Sequence, residues 1–290
     1  MPVELSGTGV WSIGLRYADP GEIAETAAEL EELGYCGLWI PDPGGEVFDA
    51  VERLLRATKQ VVVATGVLNL WMHTPEETAQ AHARITAHYG PRFLLGVGAS
   101  HAPLVEEALG KGRYRNPVRA MQSFLDGLDG AATPLGADSR VLAALGPRML
   151  ELARSRASGA HPYNVSPEHT AFARRALGTS KLLAPEQAVV LTDDPATGRE
   201  LARQYLNRYL ELENYAKNFL RLGFSEDDMA NGCSDRLVDA IVVWGDEEAI
   251  TARIEDHRAA GADHVCIQVL GDDPLPREAW RRLAPALRGT

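Results

Sequence analysis

Cationic residues are in short supply: 29 lysines and arginines stand against 40 aspartates and glutamates, a formal charge of −11 over 290 residues. That balance repels phosphate backbones and anionic lipid, so neither nucleic acid nor a membrane surface is an expected partner. Cysteine is scarce as well. Cys36, Cys233 and Cys266 are odd in number, far apart and without a CxxC pair, which argues against a zinc clamp or disulfide exchange and for a reducing cytoplasm. No stretch approaches the roughly 18 apolar residues of a membrane span. The opening MPVELSGTGVW lacks a basic segment followed by an apolar one, predicting an unprocessed cytosolic protein. No HxH or HExxH offers metal ligands, and no metal site is expected. No GxSxG elbow presents a serine nucleophile. The best dinucleotide fingerprint, Gly96-Val97-Gly98-Ala99-Ser100-His101, puts histidine where the third glycine belongs. About twenty residues further on come Pro117, Val118 and Arg119 rather than a ribose-binding acid, so a doubly wound nucleotide fold is disfavoured. Nothing low in complexity interrupts the chain, and residues 1–290 read as one domain.

What is present is an alternation of short apolar runs with longer amphipathic stretches, the mark of repeated βα units around a parallel sheet. Val10 to Leu15 reads as the first strand. Asp19-Pro20-Gly21-Glu22 then supplies a cap, a proline at the first helical position and a carboxylate at the third, with Ile23, Ala27, Leu30 and Leu33 at helical spacing and Gly34 to end the helix. Further strands are expected at Gly37–Ile40, Val61–Leu68, Phe93–Val97, Val141–Leu145, Gly159–Pro162, Ala188–Leu191 and His264–Leu270. Helices are expected between them, including Val47–Thr58, one opening at Thr74-Pro75-Glu76-Glu77, Pro117–Leu128, Arg148–Ser155, one capped by Ser166-Pro167-Glu168 and reaching Leu177, and a long one from Asp194-Pro195 to about Leu222. Two more run from Asp246 to Gly261 and from Pro276 to Leu287. Eight such units match a (β/α)8 TIM barrel, whose typical size is about 250 residues before insertions.

In such a barrel the working groups gather at the carboxyl ends of the strands. Gly146-Pro147-Arg148-Met149 follows a strand and opens a helix, where free N–H groups and a positive dipole end suit phosphate; an ordinary turn with an exposed arginine is the alternative. Gly98-Ala99-Ser100 permits close approach to a flat ligand. Among eight histidines, His101 and His161 lie just beyond strands, where an imidazole can exchange a proton with a reacting group. His73 stands at a third strand end. His82, His88, His169 and His257 fall in helical patterns and read as solvated. Asp42, between Pro41 and Pro43, either anchors a ligand or caps a loop. Cys36 and Cys266 read as buried small hydrophobes. Tyr205, Tyr209 and Leu212 share a helix face, followed by Tyr215, Phe219 and Phe224; a core or subunit-interface stripe is preferred to substrate contact.

The segments ATGVLNLWMHTPEETAQAHA, RFLLGVGASH and AALGPRMLELA, in that order, resemble the bacterial luciferase-like superfamily and its coenzyme F420-dependent oxidoreductases. GAHPYNVSPEHT, LNRYLELENYAKNFLRLGFSEDD and HRAAGADHVCIQVL further resemble an actinobacterial subgroup of these oxidoreductases. The resemblance covers essentially the whole chain. It implies a (β/α)8 barrel, F420 phosphate and tail at Gly146, Pro147, Arg148 and Met149, and a non-proline cis peptide at Gly66-Val67 forming a bulge behind the deazaflavin ring. It places Asp42, Asn69, Gly98, Ala99 and Ser100 beside the cofactor and Trp11, His73 and Tyr163 in the substrate pocket. The implied chemistry is hydride transfer at the deazaflavin C5 to or from a small organic molecule, with orientation supplied by the protein and the proton by His101 or His161. Sugar-phosphate dehydrogenases of this superfamily carry a histidine after the strand-two aspartate and a glutamate after strand four. This chain reads Asp42-Pro43 and His101 there, so neither that acid/base pair nor that substrate carries over. An FMN-dependent monooxygenase is the alternative enzyme, and an F420-binding protein without turnover is the alternative from another class. The family resemblance also implies a homodimer.

Overall fold

A computed structural model describes residues 3–288. Its strands are β1 (Gly7–Trp11), β2 (Gly37–Ile40), β3 (Val62–Thr65), β4 (Leu68–Asn69), β5 (Phe93–Gly98), β6 (Arg140–Leu142), β7 (Gly159–Ala160), β8 (Leu182–Leu183), β9 (Glu186–Leu191), β10 (Val243–Gly245) and β11 (His264–Val269). Every pairing is parallel, and the neighbours run β10-β9-β11-β1-β2-β3-β5-β6-β7-β8, with β4 also on β5. β8 and β9 are one stretch divided at Pro185, which has no N–H to give a ladder. That stretch closes the ring: β8 pairs with β7, β9 pairs with β11, and Ala184 and Glu186 donate to Ala160 and Pro162. The barrel expected from the sequence is therefore the fold, with β10 as an added strand at its rim.

Three apolar layers hold it together. Trp11, Trp39, Ala64, Leu94, Val141, Ala184 and Cys266 belong to the cluster inside the ring. A larger layer packs the outward faces of the strands, such as Leu38, Val63, Leu95 and Ile267, on the helices around them. The third lies over β9, where Ala188 and Val190 meet Tyr205, Leu206, Tyr215 and Phe219. Side-chain caps start the helices as the sequence implies: Asp19 accepts from Gly21 and Glu22, Thr74 from Glu77, and Asp194 from Ala196 and Thr197.

Several expectations need correction. The first strand is Gly7–Trp11; Gly14–Tyr17 is a short helix whose Leu15 is buried, so its apolar residue belongs to packing beside the barrel. The long helix is two, Pro195–Leu210 and Glu213–Arg221. Helices at Ala102–Leu109, Glu226–Met229 and Asp235–Ile241 were not anticipated. His82, His169 and His257 are buried rather than solvated, because inward helix faces meet acceptors there: His82 reaches the Phe93 carbonyl, His169 the Leu145 carbonyl, and His257 the Gln187 and Thr170 side chains. His88 is exposed. The cysteines are free, and Cys266 is buried in the barrel interior as expected. No helix among the described residues is long and apolar enough to cross a membrane.

Candidate functional site

The Gly66–Val67 peptide is cis. Hydrogen bonds pin its surroundings: Trp11 Nε1 donates to the Gly66 carbonyl at 2.8 Å, Gly66 N–H donates to Ile40, and the Thr65 hydroxyl both donates to and accepts from the Gly96 backbone. Gly66 and Val67 are half-exposed between buried Thr65 and buried Leu68, so the chain presents a backbone shelf at the ring's mouth. Glycine is required close by. A Cβ on Gly98 would lie 2.3 Å from Val67 Cγ2 and 3.3 Å from Ala143 Cβ. Val67, Gly98 and Ala143 are thus contiguous, and half-exposed Ala99, Ser100, Ala143 and Leu145 extend the shelf across β5 and β6 to Gly146. Ser100 takes a left-handed conformation at the turn.

At Gly146 the shelf meets the helix Pro147–Arg156. No side chain caps this helix; Met149 and Leu150 already donate to the Gly146 carbonyl and Pro147 has no N–H. The Arg148 N–H belongs to the unbonded first turn, where the helix dipole is positive. The Arg148 side chain is exposed. Arg221, on the helix Glu213–Arg221, brings a second guanidinium: its Nη2 lies 3.6 Å from where a Cβ of Gly146 would stand, and its Nη1 donates to Asn218. No local pattern marks Arg221, because only the fold returns that distant helix to the β6 end.

Asp42 and Asn69 are builders of the rim. The Asp42 side chain is fully buried, accepts from the Asn69 N–H and pairs with His73 Nε2 at 2.8 Å, and lies 4.0 Å from Arg16. Asn69 in turn accepts from the Trp71 N–H, and Trp71 Nε1 donates to the Ala99 carbonyl. These bonds hold the loop that carries Trp71 and a partly exposed His73.

Aromatic rings form the opposite wall. Trp11 packs on Tyr163 at 5.3 Å, Tyr163 on Tyr209 at 5.7 Å, and Tyr209 on Tyr215 at 5.1 Å. The Tyr163 hydroxyl donates to Gln268 Oε1 at 2.7 Å and lies 3.1 Å from the Tyr209 hydroxyl. The tyrosine stripe read as core or interface does form core, and its edge also reaches the barrel mouth. Behind it, Glu186 is fully buried, and desolvation pushes its carboxyl up to about 8 against one opposing hydrogen bond from the Asn164 N–H. The sequence reading began this strand at Ala188 and so passed over Glu186.

The two histidines differ. His161 is buried and stacked on Trp39 at 4.1 Å, and its Nδ1 donates to the Ala184 carbonyl at 2.7 Å. Because a carbonyl only accepts, Nε2 is left as a bare acceptor without a protein partner. Burial lowers this imidazole to about 4, so it is neutral and has no proton to offer from Nε2. His101 is half-buried at the rim, 3.3 Å from Asn214 Oδ1 and 5.4 Å from the Tyr215 ring. Desolvation lowers it too, against the Asn214 bond.

The luciferase-like monooxygenase family model matches residues 5–264. A protein of Mycobacterium tuberculosis named "Putative coenzyme F420-dependent oxidoreductase Rv3520c" is 24% identical over 310 aligned positions, spanning 83% of this chain and 89% of the relative. Among solved structures, an F420-dependent secondary alcohol dehydrogenase bound to an F420-acetone adduct superposes with a TM-score of 0.76 at 16% identity, covering 98% of this chain and 100% of that one. The F420-dependent tetrahydromethanopterin reductase of Methanopyrus kandleri gives 0.77 at 15% identity, covering 98% and 99%. The FMN complex of the oxygenating constituent of 3,6-diketocamphane monooxygenase from Pseudomonas putida gives 0.68 at 13% identity, covering 99% of each. These structures share the fold, and the extent of the family match shows that the chain belongs to the luciferase-like monooxygenase family.

Proposed function

We propose that the chain is a coenzyme F420-dependent oxidoreductase that moves a hydride between the deazaflavin C5 and a small organic substrate. The observation that carries this reading is the half-exposed shelf of small residues running from Gly66–Val67 through Ala99 and Ala143 to a helix N-terminus flanked by Arg148 and Arg221. A flat ring followed by a phosphate fits that path. Gly66 and Val67 would back the ring, Gly98 keeps the shelf level, and Gly146 to Met149 with both arginines would hold the phosphate. When bound, F420 supplies the hydride chemistry, while the protein orients the reactants and handles the proton.

His101 is the proposed proton carrier, since its ring is at the rim and its lowered pKa keeps it able to accept a proton when the substrate is oxidised. In reduction the substrate carbon gains the hydride, its π pair moves to the neighbouring atom, and the protonated form of His101 completes that atom. His161 is assigned as an acceptor that fixes a ligand donor near Gly66, whose own Cβ position lies 3.2 Å from His161 Nε2. A homodimer working in the cytoplasm, with free thiols, completes the proposal.

An FMN-dependent monooxygenase is the second reading, supported by the FMN-bound neighbour; the two F420-dependent structures superpose more closely. Fluorescence titration of the purified protein with F420 and, in parallel, FMN separates them. Tight F420 and weak FMN binding supports the proposal, and the reverse order defeats it. Stoichiometric F420 binding with no hydride exchange against any reduced donor would instead mark a cofactor-binding protein.

A further inference from the structure

We infer that Glu186 is a positioning residue for the site: its carboxyl fixes the turn that carries Tyr163 and, through Tyr163 and Trp11, sets the Gly66–Val67 shelf. The inference deepens the oxidoreductase reading and rests on it only for the identity of the ligand on that shelf.

The contacts form an unbroken chain. Glu186 opens β9; its N–H donates to the Pro162 carbonyl at 2.9 Å, and its Oε2 accepts from the Asn164 N–H at 3.1 Å. Two bonds from one residue therefore bracket Tyr163 on either side. Asn164 is left-handed, with φ 55°, a conformation that persists where the surroundings over-determine it. From the bracketed turn the Tyr163 hydroxyl donates to Gln268 on β11 at 2.7 Å, and the Tyr163 ring packs on Trp11 at 5.3 Å. Trp11 Nε1 in turn donates to the Gly66 carbonyl at 2.8 Å. A displacement of the turn thus reaches the shelf through two packed rings and one hydrogen bond.

A carboxyl is an unusual choice for this post. Glu186 is fully buried, and a glutamine could accept the same N–H without the cost of burying an acid. Its other oxygen, Oε1, has no protein partner, and neither polar atom of the Asn164 side chain has one. The titratable groups around it are Tyr163 on the turn, Tyr205, Tyr209 and Tyr215 on the helices over β9, and Cys266 on β11. Burial raises all five, so they stay protonated at pH 9; Arg208, which acts on Tyr209, is cationic throughout. His161 at the end of β7 and His264 at the start of β11 are lowered to about 4 and about 3, and both are neutral at pH 7 and above. Among these groups Glu186 alone changes charge between pH 7 and 9, around its own value of about 8. Once ionised, the carboxylate calls for donors that one Asn164 N–H does not supply. The turn must then give, and Tyr163 and Trp11 with it.

The test follows tryptophan emission of the purified protein from pH 7 to 9, and its affinity for F420 over the same range. Wild-type emission should shift with a midpoint near pH 8. Glu186→Gln should abolish the shift, and so should Trp11→Phe, which removes the reporter and keeps the carboxyl. Wild-type affinity for F420 should fall about tenfold relative to Glu186→Gln across the range, the loss expected when only the protonated form is competent to bind. The ligand's own titration is common to both proteins and cancels in that ratio. At pH 7 Glu186→Gln should match the wild type, because it keeps an acceptor for Asn164, and Glu186→Met, which strands that N–H, should bind F420 more weakly. A residue serving stability alone would lower the unfolding midpoint and leave the pH dependence of affinity unmoved. Should Glu186→Met fail to fold, the glutamine comparison decides. Flat emission in the wild type, a shift that survives in Glu186→Gln or Trp11→Phe, or an affinity ratio that does not change with pH overturns the inference. F420 failing to bind while the emission shift behaves as stated would defeat the cofactor assignment alone; F420 binding beside flat emission would defeat this inference alone.

Discussion

Replacing Glu186 with glutamine should make the protein increasingly more stable than the wild type as pH rises from 6.5 to 8. The native state keeps the buried Glu186 protonated up to about 8, whereas the unfolded chain releases that proton near 4.5. A carboxyl raised on folding contributes stability that is complete below 4.5 and is lost as pH climbs toward 8, at about 1.4 kcal/mol per pH unit. The buried histidines act in the opposite sense. His161 and His169 are lowered to about 4, and His257 and His264 to about 3, chiefly by desolvation. Their contribution is complete above the ordinary value of 6.5 and is lost as pH falls below it. At 6.5 the four unfolded-state imidazoles are still half protonated and lose their remaining protons by pH 8, so over that interval they restore about as much stability as Glu186 loses, about 1.5 kcal/mol, and the wild-type curve should be roughly level. Glutamine keeps an acceptor for the Asn164 N–H but does not titrate, so Glu186→Gln should gain about 1.5 kcal/mol across that interval. Urea unfolding in half-unit pH steps, read by circular dichroism, measures both curves. Wild-type and variant curves that run parallel from 6.5 to 8 would refute the reasoning.

Three further outcomes follow from the geometry. Gly98→Ala should cost about 1–3 kcal/mol because its Cβ would overlap Val67, whereas Gly146→Ala, facing only Arg221 at 3.6 Å, should leave the thermal midpoint nearly unchanged. Asp42→Ala strips the acceptor from the buried Asn69 N–H and from His73, and denaturant titration should show a loss of about 1–3 kcal/mol. Arg148→Ala and Arg221→Ala should each weaken F420 binding by roughly tenfold at low salt, with the difference shrinking as salt is added; equal affinity in both variants would remove the phosphate assignment.

The barrel was legible because its signals are local. Asp19, Thr74 and Asp194 announce helix starts by their own side chains, and runs such as Phe93–Gly98 are apolar on both faces because a closed sheet buries both. Where no local signal exists the reading slipped. Nothing resembling glycine or proline marks the break between Leu210 and Glu213. Gly7 is a weak strand former that tertiary pairing with His264 recruits into β1. The buried histidines were misplaced because a helical pattern counts imidazole as polar, while an inward face can satisfy it with a neighbouring strand's carbonyl. At the site, the Gly146 helix start lay within a single segment and was legible from its residues, while the Gly66–Val67 bulge was implied by the family resemblance. Arg221 against Gly146, Tyr209 against Tyr163, and Glu186 beneath the tyrosines join distant parts of the chain, and only the closed ring brings them together.

A crystal structure of the protein grown with F420 tests the central claim most directly. The account predicts the deazaflavin ring over Gly66 and Val67, with the phosphate on the Arg148 N–H between the Arg148 and Arg221 side chains. A phosphate held elsewhere, or a ring seated away from the shelf, would contradict it.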